Sequence, residues 1–152
     1  AEGIVYYPLL QDELVMVTPN TAPYQALQRR GVWGRELLGE PTIAREQGSG
    51  TDRTLQQYMA RTGYDTRNLR IVARLEDPEA VKRMVTQGAG VSVLSAFSLA
   101  GYEGQVRVLP LAEPLSRRLG AAVKTPPPAN SAARYFLSFL KRQYPARQTG
   151  KK

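Results

Sequence analysis

Short apolar segments alternate with helix-like segments along most of this chain, and the alternation limits its possible folds. The apolar segments include residues 13–18, 41–45, 69–75 and 90–95. Each has the length of a strand, and the residues between them carry apolar side chains at helical spacing. Strands that alternate with helices form largely parallel or mixed sheets covered on both faces. We therefore predict an α/β fold.

Three of the helix-like segments have defined starts or faces. Residues 51–62 place apolar side chains three and four positions apart, on one helix face. Asp77 followed by Pro78 predicts a helix start, because the carboxylate caps and proline suits the first helical position. Residues 131–144 predict a C-terminal amphipathic helix. Its inward face is predicted to consist of Tyr135, Phe136, Phe139 and Leu140.

The absence of histidine and cysteine removes several classes of site. Zinc, haem and iron–sulfur centres need imidazole or thiolate ligands, so we expect neither a metal nor a cofactor. Nucleophiles activated by a histidine base are also excluded, and so are disulfides. We expect no catalytic residue, no membrane span and a cytoplasmic location.

The net charge of +8 raises the question of nucleic-acid binding, because lysine and arginine neutralise phosphates. The basic residues are dispersed and mostly interleaved with acids, and part of the excess lies in the tail at Arg147, Lys151 and Lys152. This distribution favours a solvated basic surface over a phosphate-contacting one.

The segment 43–52 (IAREQGSGTD) predicts a strand, a glycine-rich turn and a helix start. Backbone N–H groups and the helix end would attract a small anion there, with hydroxyls beside them. The alternative is that a hydroxyl caps the helix and glycine only permits the turn. The candidate contacts are Gly48, Ser49, Gly50 and Thr51.

Two further segments end predicted strands in the same way. Glu76 follows one strand, and it would lie near the loop after Arg45 if the two strands are neighbours. Glu76 could equally be a solvated carboxylate, or it could pair with Glu46. In 88–95 (GAGVSVLS) a structural role dominates, and Ser95 is the one candidate contact.

Four stretches together resemble the effector-binding domain of LysR-type transcriptional regulators. They keep the order and spacing of the family over nearly the whole chain and precede an aromatic helix. The stretches are 8–19 (PLLQDELVMVTP), 45–51 (REQGSGT), 76–82 (EDPEAVK) with Val85 and Gly88, and 88–95 (GAGVSVLS).

The resemblance implies a type II periplasmic-binding-protein-like fold, in which two α/β subdomains hold a small effector between them. Residues 1–11 would be a remnant of the first subdomain, 12–113 the second, 114–145 the return to the first, and 146–152 a disordered tail. The chain would lack the DNA-binding helix-turn-helix and most of the first subdomain. Operator DNA would be contacted only through that missing part.

The resemblance also implies a small, anionic effector and a homodimer or higher oligomer. The effector would contact Gly48 to Thr51, Glu76 at the cleft edge and Gln11 at the first crossing between subdomains. Asp52 departs from the family, where arginine is frequent, and its carboxylate would compete with an anionic ligand. Arg53 and Arg45 would offset that effect.

Two other functions stay open. A solute-binding protein or a stand-alone sensor, for a molybdate-like or amino-acid ligand, would share the fold. A small hydrolase or transferase would use Ser49 or Thr51, and it would need a lysine or carboxylate base close in space.

Overall fold

The computed structural model describes residues 3–28, 32 and 34–144. The chain forms two compact units. Unit 1 comprises Ala1–Asp12 and Arg117–Lys152, and unit 2 comprises Glu13–Ser116. The predicted tail at 146–152 lies outside the described residues.

Strands and helices alternate as predicted, although several bounds differ. The first strand begins well before residue 13. The strands are β1 (Val5–Pro19), β2 (Pro41–Arg45), β3 (Arg70–Leu75), β4 (Ser92–Ser95), β5 (Val106–Leu109) and β6 (Leu115–Val123). The helices are α1 (Ala22–Leu27), α2 (Gly34–Gly39), α3 (Gly50–Arg61), α4 (Pro78–Thr86) and α5 (Ala132–Gln143), with 3-10 turns at Thr66–Asn68 and Ala96–Leu99.

Parallel and antiparallel pairs combine in the strands of unit 2. β2 and β3 are parallel, and their last residues, Arg45 and Leu75, lie opposite each other. β1 is antiparallel to both β4 and β5. Val91, directly before β4, bridges to β2 in parallel and accepts the Ile43 N–H at 2.8 Å. Backbone hydrogen bonds therefore connect the strands in the order β3, β2, β4, β1, β5.

The sheet of unit 2 is buried on both faces, as an α/β layer arrangement requires. Alternate residues of β1 enter two different clusters, with Leu14 and Met16 on one side and Val15 and Val17 on the other. α3 covers the first side with its apolar face, and α4 covers the second. The predicted apolar face of α3 and the predicted start of α4 after Asp77 are thus confirmed.

In unit 1, β1 pairs with β6, and α5 belongs to the same compact unit. Arg117 Nε donates to the buried Asp12 carboxylate at 2.9 Å, and Lys141 Nζ lies 4.3 Å from the centre of the Tyr7 ring. Leu137 is the one apolar side chain of unit 1 that is buried among the described residues.

The predicted inward face of α5 is wrong. Tyr135, Phe136 and Phe139 are 67%, 60% and 47% exposed, and Leu140 is half-buried. The helical spacing identified an apolar face correctly, but Leu137 and Lys141 lie on the opposite side of the helix. Leu137 and Lys141 make the inner contacts within unit 1, so the aromatic side faces outward.

Among the described residues, no helix combines the length and apolar character needed to span a membrane.

Candidate functional site

The turn between β2 and α3 is shaped by a glycine and a capping serine. Gly48 has a φ of +79°, a left-handed conformation that favours glycine. Ser49 precedes α3 in an extended conformation, and its Oγ accepts the Asp52 N–H at 3.0 Å. The capping role that the sequence left open for a hydroxyl therefore belongs to Ser49. Capping does not prevent the exposed part of the turn from contacting a ligand.

Asp52 holds this turn together from within α3. Its side chain is 7% exposed, and its Oδ2 accepts the Gly48 N–H at 3.1 Å and Gln56 Nε2 at 2.9 Å. Its Oδ1 accepts Arg74 Nη1, from β3, at 3.3 Å. Arg74 also donates to the carbonyl of Arg45 at 3.0 Å. One carboxylate therefore connects the turn, the helix and the neighbouring strand.

Six of the seven predicted contact residues lie at one edge of the unit 2 sheet. Because Arg45 lies opposite Leu75 in a parallel pair, the loop bearing Gly48–Thr51 and the loop bearing Glu76 leave the sheet side by side. β4 runs parallel to β2, so Ser95 ends at the same edge. The seventh, Gln11, is exposed and belongs to unit 1.

These six residues differ in how much surface they offer. Gly48, Gly50 and Glu76 are exposed, and Ser49 and Ser95 are half-buried. Thr51 is buried at 7% exposure, so its hydroxyl presents little surface to a ligand. The surface of the turn therefore consists mainly of glycine backbone and Ser49.

Two basic side chains at this edge bond to acceptors within it. Arg45 donates to Glu46 through Nε at 2.8 Å and Nη2 at 3.0 Å, a bidentate pair. The suggested pairing of Glu46 with Glu76 is therefore replaced by an ion pair of Glu46 with Arg45. Arg53 Nη1 donates to the carbonyl of Gly48. Within the described ranges, no group of three or more acidic residues is arranged to hold a metal ion.

A buried lysine lies on α4, and no sequence pattern indicated it. The side chain of Lys82 is 3% exposed and contacts the Glu79 carboxylate, the Ser98 carbonyl at 2.6 Å and the Tyr102 ring at 4.6 Å. The hydrogen bond from Lys82 is the main reason that the pKa of Glu79 is lowered. Burial of a lysine depends on partners distant in sequence, so helical periodicity could not reveal it.

No sequence pattern predicted an open cavity of about 490 Å³ in this part of the chain. It begins directly after Ser95, and most of its lining is apolar. The lining includes Ala96, Phe97, Leu99, Tyr102, Val106 and Val108. Its walls come from a short 3-10 turn and β5, two segments with weak sequence patterns.

Comparison with known families decides which of the open functions applies. The model of the LysR substrate binding domain matches residues 1–145. The chain belongs to this family. The predicted resemblance and the type II periplasmic-binding-protein-like fold are thereby confirmed. This LysR substrate-binding domain is an effector-binding regulatory module, and the matches point to a regulatory family rather than an enzyme family.

Individual relatives agree with the family match. An uncharacterised HTH-type transcriptional regulator of Methanocaldococcus jannaschii is 33% identical over 134 residues, which are 86% of this chain and 44% of that protein. The CcmR regulatory domain of Synechocystis, solved in complex with 2-PG, is 27% identical with a TM-score of 0.80. That alignment covers 95% of this chain and 68% of the solved chain.

The effector-binding domain of QuiR, solved in complex with shikimate, supports the fold. It is 20% identical with a TM-score of 0.78, and the alignment covers 95% of this chain and 67% of that one.

Curated relatives are much longer than the matched region. The chain spans less than half the length of the Methanocaldococcus regulator and about two thirds of the CcmR domain.

Proposed function

We propose that this domain binds a small anionic effector at the carboxyl edge of its unit 2 sheet. The observation that carries the proposal is the convergence of three segments at that edge. The turn at Gly48–Thr51, the loop at Glu76 and the end of β4 at Ser95 are far apart in sequence and meet where the parallel strands end. Ligands of open α/β sheets bind at such edges.

We propose further that the effector acts by shifting a conformational equilibrium. A ligand with different affinities for two states changes their populations, and no covalent chemistry is needed. Operator DNA would be contacted by a helix-turn-helix outside these residues, as the class of the relatives suggests. A regulator that acts on DNA would work in the cytoplasm.

The proposed role requires no catalysis by the turn. The chain has no histidine, and the Ser49 hydroxyl already caps α3. The buried Thr51 offers little access to a substrate. These observations favour binding over nucleophilic chemistry.

In functional terms, residues 12–113 would form the second effector-binding subdomain, and 1–11 with 114–145 would belong to the first. We also propose a homodimer or higher oligomer. Support comes from the outward aromatic side chains of α5, since exposed apolar patches of this kind mark interaction sites.

A thermal-shift screen of small organic acids tests the proposed function. We expect at least one acid to raise the melting temperature of the wild-type domain, because a ligand that binds only the folded state stabilises it. Ser49→Ala should reduce that shift, whereas Glu76→Gln, which removes a negative charge beside the anion, should increase it. Thr86→Val, at the far end of α4, is the matched control and should retain it. Equal shifts in all variants would contradict the proposed site.

A further inference from the structure

The amino-terminal end of α3 already holds a negative charge. The Asp52 carboxylate is buried and accepts hydrogen bonds from the Gly48 N–H, Gln56 Nε2 and Arg74 Nη1, as described above. It occupies a position in which a helix end would otherwise attract an anion from solution. An internal carboxylate has therefore taken the role of the external anion.

Other polar groups of the turn are also used internally. The Ser49 N–H donates to the Glu46 carbonyl at 3.2 Å, and the Asp52 N–H donates to Ser49 Oγ. Two guanidinium groups at this edge pair with carboxylates, Arg45 with Glu46 and Arg74 with Asp52. Arg53 donates to the Gly48 carbonyl and keeps its charge. The Asp52 carboxylate therefore offsets the positive potential that the helix end and Arg74 would otherwise offer to an incoming carboxylate or phosphate group.

We propose that Asp52 is a specificity-determining residue. Because of its carboxylate, the end of α3 would contact an uncharged hydroxyl or amide group of the effector. This inference rests on the proposed function, and it places the anionic group of the effector away from the turn. Like charges at close range in a partly buried site repel strongly. The turn would accept polar groups and reject anions.

A titration with inorganic phosphate, followed by the amide NMR signals of residues 48–51, tests the proposal. In the wild-type chain these signals should not respond. In Asp52→Asn, the end of α3 and Arg74 lose their internal partner charge, and phosphate should bind there at least about tenfold more tightly. The matched control is Asp65→Asn, which removes an exposed carboxylate of the same unit and should behave like the wild type.

Asp52→Ser, a shorter neutral side chain, repeats the test if the asparagine variant folds poorly. The proposal is overturned if phosphate shifts signals 48–51 in the wild-type chain, a result that needs no variant. It is also overturned if the neutral variants respond no more than the control. The proposed function has its own test. It is contradicted if no acid of the thermal-shift screen binds the wild-type domain, even when the phosphate titrations give the expected result for Asp52.

Discussion

At the scale of single residues, Ser49 combines a structural role with a proposed binding role. Its Oγ accepts the Asp52 N–H and so satisfies one of the amide groups that a helix start leaves open. Its half-buried side chain still borders the exposed glycine backbone. A substitution there should affect both stability and binding.

We predict that Ser49→Ala lowers the free energy of unfolding by about 1 kcal/mol, the usual effect of losing a capping hydroxyl. Chemical denaturation followed by circular dichroism measures the change. Ser138→Ala, on the exposed surface of α5, is the matched control and should leave stability within about 0.5 kcal/mol. A loss no larger than the control's would show that the cap contributes nothing.

Tyr24 gives a prediction at alkaline pH. Burial, followed by the hydrogen bond to Glu40 at 2.8 Å and the charge of Glu40, raises the pKa of Tyr24 from 10.0 to about 12. The folded state favours the neutral phenol. The stabilisation is therefore complete below pH 10 and is lost as the pH rises through about 12.

Tyr24→Phe should remove one late step of the tyrosinate absorbance titration, centred near pH 12. Tyr58, whose pKa is also raised by burial, should still ionise late. The Tyr24→Phe variant should also show a flatter fall in stability between pH 10 and 12. Tyr135→Phe removes an exposed phenol and serves as the control. An unchanged late part of the Tyr24→Phe titration would contradict the assignment.

At the scale of elements, the contact between β2 and the segment before β4 keeps the candidate edge in register. A side chain on Gly90 would place its Cβ 2.3 Å from the Pro41 carbonyl oxygen, far inside contact distance. The backbones can pair here only because residue 90 is glycine. This contact aligns the end of β4 with the end of β2.

We predict that Gly90→Ala destabilises the domain by about 3 kcal/mol, since a backbone carbonyl must move to relieve the overlap. Gly88→Ala is the matched control. Gly88 has a φ of +78° and open space around it, so alanine should cost only about 1 kcal/mol there. Equal losses in denaturation experiments would show that the close approach has no effect.

The success of sequence prediction also differs between elements. β2, β3 and the helices α3 and α4 followed from local periodicity, because burial repeats along each of them. The adjacency of Arg45 and Leu75 was expected only if their strands were neighbours, which no local pattern settles. The bonds of Asp52 to Arg74 and of Lys82 to Ser98 join distant positions, and they could not be predicted.

At the scale of the whole molecule, the two units differ in charge and in core. Unit 1 contains nine of the 21 basic residues and only two of the 13 acidic residues. It also contains seven of the ten exposed large apolar side chains among the described residues. The exposed aromatic side of α5 thus belongs to a unit that carries an excess of basic residues.

We predict that association through this side strengthens as salt is added, because salt screens the repulsion between basic units while apolar contacts persist. Light scattering coupled to size exclusion measures the oligomer fraction. Phe136→Ser with Phe139→Ser should reduce it. Phe97→Ser should not, although Phe97 is at 62% about as exposed as Phe136, because it lies in unit 2. Association unaffected by the α5 variants would place the interface elsewhere.

The proposed effector site at the carboxyl edge of the unit 2 sheet can be mapped with a stabilising acid on the isotope-labelled chain by amide NMR. We expect the perturbed signals to cluster at residues 46–51, 75–77 and 95–96. Perturbation confined to the cavity lined by Leu99, Tyr102 and Val106, with the signals of 46–51 unchanged, would contradict it.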